Sequence, residues 1–210
     1  MKSNLFIIAK SGLPYLVGSA LFFFIFLILG CEMFALLAFL AFVLFGYVFR
    51  NPERELVNFE EKSILSPVDG VVSAITELDN SEYAYRIDVE SSYLDVSLLR
   101  APINGTVKKY EIFRGTRLSK NSKHFSHLNE KASIVFEDKS ANKVELQHTL
   151  KQSFAPLDIS LVNGELFMKS MRYGVMVSGI TSIYLPANVR VNVNIGSELK
   201  ASEVLLGFFS

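Results

Sequence analysis

The sequence predicts an N-terminal transmembrane helical hairpin followed by an all-β or β-dominated domain of barrel-sandwich-like organisation. Two observations carry this. From Leu13 to Phe49 the only charged residue is Glu32, and beyond Arg54 short apolar runs with alternation or β-branched enrichment succeed one another, divided by Gly, Asn, Asp or Pro. Composition agrees, because 50% of the 210 residues are apolar and the surplus over an ordinary domain lies entirely at the front.

As one helix, Leu13 to Phe49 would reach roughly 55 Å, far beyond the ~30 Å hydrocarbon core of a bilayer. Two spans, Leu13 to Leu29 and Met33 to Phe49, fit better, with Gly30-Cys31-Glu32 as the turn. The run is too long for the apolar region of a cleaved signal peptide, and no small-residue cleavage site follows it. Lys2 and Lys10 precede the spans, and Arg50 and Arg54 follow them. The positive-inside rule then places both ends on the cytoplasmic side of the inner membrane. The expected organisation is a membrane anchor over 1–49 and a cytoplasmic domain over 50–210.

Pro52 stops the second helix in the polar exit Phe49-Arg50-Asn51-Pro52-Glu53-Arg54. Strands are expected at Ile64-Leu65, Val71 to Ile75, Tyr85 to Val89, Leu94 to Leu98, Thr106 to Phe113 and Ser133 to Phe136. Further strands are expected at Val144 to Leu150, Leu157 to Leu161, Val175 to Leu185, Val189 to Val193 and Val204 to Phe208. A single weakly patterned helix falls around Ser122 to Lys131. Asn104-Gly105, Asn163-Gly164 and Gly196-Ser197 supply turn chemistry.

Lys+Arg and Asp+Glu balance at 21 each, which argues against a nucleic-acid partner. Cys31 is the only cysteine, so no internal disulfide and no cysteine-based metal cluster can form. His124, His127 and His148 do not by themselves argue for a metal, and none is expected.

The segment from Arg172 to Pro186 reads Arg-Tyr-Gly-Val-Met-Val-Ser-Gly-Ile-Thr-Ser-Ile-Tyr-Leu-Pro. It resembles the self-cleavage segment of the small membrane-anchored phosphatidylserine decarboxylases, Arg-Phe-Gly-x-Ile-x-Phe-Gly-Ser-x-x-Asp-x-Tyr-Leu-Pro. Other stretches resemble the same family in the same order. They are Gly12-Leu13-Pro14-Tyr15, the Phe49 to Arg54 exit, Ser66-Pro67-Val68-Asp69-Gly70, Leu94 to Gly105, and the run from Arg114 that closes in Asn129-Glu130-Lys131.

The resemblance implies a β-domain that converts a serine of its own chain into a pyruvoyl group. That group holds the substrate amine while carbon dioxide leaves, giving phosphatidylethanolamine. It also implies an aspartate and a histidine that assist the serine in cutting the preceding peptide bond. Asp69 stands at the aspartate position. Ser97 stands at the histidine position, and a hydroxyl cannot exchange protons near neutral pH as imidazole does. The interval to Tyr184-Leu185-Pro186 is one residue short, so Gly179 or Ile180 falls where the serine belongs, and Ser182 replaces a family aspartate. Ser178 is the candidate cleavage serine and pyruvoyl precursor, although β-branched Val177 would crowd the carbonyl it attacks. The Gly196-Ser197 pair lies beyond Tyr-Leu-Pro, where an ordinary turn is expected, and His124 or His127 could replace the missing imidazole only if their loop folded over the site.

From Lys108 to Lys131 the cations Lys108, Lys109, Arg114, Arg117, Lys120, Lys123 and Lys131 outweigh Glu111 and Glu130, with Tyr110, Phe113 and Phe125 interleaved. This is a solvated charged face or a contact for phosphatidylserine or another anionic lipid at the membrane. Two functions stand on the sequence. One is a family member with impaired self-processing that acts as a lipid- or partner-binding membrane protein, alone or in a complex with another family member. The other is an active pyruvoyl-dependent decarboxylase cleaving at Ser178.

Overall fold

In the computed structural model, residues 7–54, 60–79 and 82–210 are described. The chain divides into two compact units, Met1–Glu53 and Arg54–Ser210.

The first unit is a helical hairpin. A 3-10 turn at Lys10–Gly12 leads into α1, Leu13–Ile28, where Pro14 occupies a first-turn position that needs no N–H donor. α2 spans Glu32–Val48. Gly30 between them has φ +70°, the left-handed conformation that glycine adopts at least cost, so the turn falls where the sequence places it. The helical stretch Lys10–Ile28 has the length and apolarity to cross a membrane, with mean hydropathy 2.0. The 17 residues of α2 reach about 26 Å, just under a hydrocarbon core of ~30 Å. Phe26 packs on Phe34 at 5.4 Å and Phe23 on Phe39 at 5.9 Å. At the open end, Tyr15 stacks on Phe49 at 5.3 Å, and the Ala9 N–H donates to the Phe49 carbonyl at 2.8 Å. The Arg50 guanidinium lies 4.1 Å over the Tyr47 ring. Of the flanking cations, Lys2 lies outside the described residues.

The second unit is built almost wholly of strands. In chain order they are β1 (Ser63–Leu65), β2 (Gly70–Glu77), β3 (Tyr85–Ser91), β4 (Leu98–Arg100), β5 (Gly105–Phe113), β6 (Lys131–Glu137) and β7 (Lys143–Leu150). There follow β8 (Asp158–Ile159), β9 (Leu166–Phe167), β10 (Arg172–Val175), β11 (Gly179–Leu185), β12 (Val189–Val191), β13 (Glu198–Leu199) and β14 (Leu205–Phe209). The expected helix shrinks to one turn, α3 (Phe125–Leu128).

An eight-stranded antiparallel sheet runs in the order β13-β2-β3-β11-β7-β6-β5-β9, and two three-stranded sheets, β1-β14-β12 and β4-β10-β8, complete the unit. Strands β6 and β7 alternate buried with half-buried residues, and Ile134, Phe136, Val144, Leu146 and Leu150 are all fully buried. That period of two puts every second side chain into one core, joined there by Ile87, Val89, Ile183 and Leu185 from β3 and β11.

The two edge strands β9 and β13 each follow a glycine turn, Gly164 with φ +85° and Gly196 with φ +86°. Each pairs with only two residues of its neighbour, and the neighbours β5 and β2 both carry an irregularity in register just inside that contact.

Several expected strands differ from the structure: Leu157 to Leu161 is strand only at Asp158–Ile159 and Val189 to Val193 only at Val189–Val191, and two others depart further. Leu94 to Leu98 becomes strand only at Leu98, because Asp95 Oδ2 accepts from the Ser92 N–H at 2.7 Å and the Ser92 hydroxyl at 2.8 Å, which closes a turn there. Val175 to Leu185 is two strands, since the chain leaves the small sheet after Val175 and enters the large one at Gly179.

Candidate functional site

The residues singled out in the sequence stand at the starts of strands that converge on one end of the β-domain. Asp69 immediately precedes β2, Ser97 precedes β4, and Ser178 precedes β11. The Met176 N–H donates to the Ser97 carbonyl at 2.7 Å, and the Lys151 N–H donates to the Ser178 carbonyl at 3.0 Å. Ser97, Ser178 and Asp69 are all buried, at 3%, 2% and 7% exposure.

Asp69 is tied down by Arg54 and the Ala201 backbone. Its Oδ2 receives Arg54 Nη2 at 2.5 Å, and its Oδ1 receives both Arg54 Nη1 at 2.7 Å and the Ala201 N–H at 2.8 Å. The carboxylate is therefore held against the chain just beyond β13, and β3 stands between β2 and β11 in the large sheet. Val71 pairs with Glu90, so Gly70 stands opposite Ser91, and Ser91 in turn pairs with Gly179. The backbones of Gly70 and Gly179 are thus two strand spacings apart, roughly 10 Å. An aspartate forked on a buried guanidinium is already satisfied as a structural ion pair.

Met176-Val177-Ser178 forms the link between the two sheets, and Val177 is buried at 1% exposure. The ladder of β11 runs in unbroken register from Gly179 to Leu185 against β3 and to Tyr184 against β7, so the one-residue deficit falls in the link and not within the strand. Counting back from Tyr-Leu-Pro, Gly179 occupies the serine position. A Cβ on Gly179 would stand 2.5 Å from the Thr149 carbonyl oxygen and 2.6 Å from Met176 Sδ, closer than real contacts allow. The segment has no space for a side chain where the count places the reactive residue.

The three histidines fall in two settings. His124 and His127 are exposed at the α3 turn. His148 is fully buried on β7, with Nδ1 2.8 Å from Thr181 Oγ1 and Nε2 2.7 Å from the Tyr173 hydroxyl. Burial pushes its pKa down to about 3, so the ring is neutral at neutral pH with both nitrogens engaged. It is part of the core and is not a free base. Ser182 donates to Asp88 Oδ1 on β3, making the family aspartate position a strand-to-strand contact. Asp69, Ser97 and Ser178 together do not fit the making of a pyruvoyl group.

The basic stretch separates into two places. Lys108 and Lys109 lie on β5 in ion pairs with Glu137 at 2.9 Å and Glu111 at 3.0 Å. Arg114 and Arg117 share the buried Glu130. Lys120 and Lys151 share Glu90, whose carboxyl is held below its usual range by hydrogen bonds from both amines. Asn129, fully buried, fastens this loop to the sheet by donating to the Leu118 and Leu150 carbonyls at 2.9 and 2.8 Å.

Comparison with known proteins places this geometry in context. A family model described as phosphatidylserine decarboxylase matches residues 41–207. Among similar proteins is the phosphatidylserine decarboxylase proenzyme of Carboxydothermus hydrogenoformans, 32% identical over 82% of this chain and 83% of that protein. The proteins of the same name from Desulfotalea psychrophila and Geobacter metallireducens are 26% and 28% identical, each over 95% of both chains.

Proposed function

Because this chain belongs to the phosphatidylserine decarboxylase family, we propose that it is a membrane protein of phosphatidylethanolamine metabolism whose self-processing is lost. In this reading it keeps the anchor and the β-domain and serves as a lipid- or partner-binding pseudoenzyme. The observation that carries the reading is the Asp69 carboxylate, with both oxygens engaged by Arg54 and Ala201. The hydroxyl of Ser97 in place of an imidazole and the filled space around Gly179 support it. A fold can outlive its chemistry when the site residues change.

The apolar helical stretch Lys10–Ile28 and the flanking Lys10 and Arg50 support a location in the inner membrane with the β-domain on the cytoplasmic side, where anionic lipid is the partner in reach.

The second reading, an active decarboxylase cleaved at Ser178, draws on the position of that serine in the link between two sheets, where chain scission would leave both ladders intact. Intact-mass measurement of the purified protein decides between them. A single species at 23.5 kDa is expected. Two chains, the smaller beginning at Ser178 with a hydroxylamine-reactive end, would overturn the unprocessed reading.

A further inference from the structure

The turn after β13 holds a serine that ordinary packing does not explain. Ser202 is 1% exposed, its φ is +71°, and its Oγ has no hydrogen-bond partner among the described residues. A side chain other than that of glycine is costly in this left-handed conformation, and a buried hydroxyl without a partner adds to the cost. Neighbours hold the strain in place. The Ser202 N–H donates to the Ser66 carbonyl at 2.9 Å, and the Glu203 and Val204 N–H groups both donate to the Lys200 carbonyl at 3.1 Å.

The residue in front of this serine is gripped at both its peptide groups. The Ala201 carbonyl accepts from Arg54 Nη1 at 2.6 Å, and the Ala201 N–H donates to Asp69 Oδ1 at 2.8 Å. Arg54, its side chain 7% exposed, is itself held by the Asp69 carboxylate and reaches Glu203 Oε1 at 3.4 Å. A buried guanidinium on a carbonyl oxygen polarises the carbonyl and stabilises negative charge developing on that oxygen. The backbone supplies a second requirement. On an L-residue the torsion from the preceding carbonyl carbon to Cβ is offset from φ by about 120°, so at φ +71° it is about −50°. At a helical φ of about −60° those two atoms are anti, and the hydroxyl cannot reach the carbon. Here they are gauche, and a five-membered ring through Oγ closes with little further rotation.

We propose that Ser202 attacks the Ala201 carbonyl and shifts the acyl group from nitrogen to oxygen, which makes the bond between Ala201 and Ser202 a built-in scission point. Oγ bonds to the carbonyl carbon, and the C=O electron pair moves onto the oxygen held by Arg54. That pair then returns, the C–N bond breaks, and the hydroxyl proton passes to the nitrogen. The product is an ester with a free Ser202 amine, of unchanged mass and oxidation state. Asp69 is the positioning residue, since it fixes both Arg54 and the Ala201 N–H. The step goes beyond the reading above and does not depend on it, because it uses a different bond from the link before β11 and forms no pyruvoyl group. β14 is the middle strand of β1-β14-β12, so the sheet still holds residues 202–210 after the shift.

The test incubates the full chain, folded in detergent at neutral pH, with hydroxylamine, which cuts esters, and reads masses after denaturation. The expected products are the peptide 202–210 with an unblocked serine and the chain 1–201 ending in a hydroxamate. Cuts at Asn104-Gly105 or Asn163-Gly164 would give other masses. Ser202→Gly suits the positive φ, so it should melt no lower than the native protein and release no peptide. Ser202→Cys, a better nucleophile, should release it several-fold faster. Arg54→Met with Asp69→Leu should slow release by roughly a hundredfold, the cost of one lost oxyanion donor, and equal release would overturn the assignment of Arg54. If neither the native chain nor Ser202→Cys yields the peptide, the proposal fails and Ser202 is a strained turn residue only. Release that persists undiminished in denaturing urea would also overturn it, because the fold would then contribute nothing.

Discussion

Asp69→Asn separates a structural carboxylate from a catalytic one. The Arg54 and Asp69 side chains are 7% and 10% exposed, so the substitution leaves a buried guanidinium facing a neutral amide. Removing one partner of such a pair costs about 3 to 5 kcal/mol, and asparagine, which keeps one acceptor oxygen, belongs at the lower end. At about 2 to 4 °C per kcal/mol for a domain of this size, the midpoint of thermal unfolding should fall by about 6 to 12 °C. The assay is near-ultraviolet tyrosine dichroism of the detergent-solubilised full chain during heating. Replacing both partners, Arg54→Met with Asp69→Leu, should restore most of the loss, because neither charge is then left buried alone. A single variant that melts within about 2 °C of the native protein would refute the argument, since an aspartate kept only for proton transfer carries no such cost.

Three further outcomes follow from the same geometry. Gly179→Ser should lower stability by about 1 to 3 kcal/mol through the clash with the Thr149 carbonyl and Met176, and one residue inserted before Ser178 should relieve it; an unchanged melting point for Gly179→Ser would show that the link has room. His148 has a depressed pKa in the fold, so its contribution is fully present above about pH 6.5 and is lost as pH falls toward about 3, at roughly 1.4 kcal/mol per unit. Measured between pH 6.5 and 5, His148→Gln should flatten that slope, and an identical slope in both proteins would refute the assignment. Ser97→His alone should leave the intact mass at 23.5 kDa, because an imidazole there still lacks a serine at position 179; cleavage of that variant would show that the missing base was the sole defect.

Much of the fold was legible because its signals are local. The helical hairpin is announced by apolarity and one glycine, and β6 and β7 by strict alternation. His148 carried a readable signal that composition alone obscured: Val144, Leu146, His148 and Leu150 fall on one face of a strand, and that face is the core. What the sequence could not carry was long-range partnership. Arg54 and Asp69 are fifteen residues apart and meet Ala201 from the far end of the chain. The break after Val175 depends on Met176 turning to Ser97, a contact with no local trace. The basic stretch likewise reads as one patch along the chain and separates only when β5 carries Lys108 and Lys109 into ion pairs of their own.

The paired glycine turns at Gly164 and Gly196 have a consequence for life at a crowded surface. Each ends in a two-residue strand laid against one border of the large sheet, and each neighbouring strand loses its regular register just inside, between Val72 and Ala74 on one side and between Val107 and Lys109 on the other. A border that is briefly covered and then twisted offers no long, straight row of free N–H and C=O groups for another chain to copy. Copies held at high density in two dimensions can then brush past one another without zipping their sheets together.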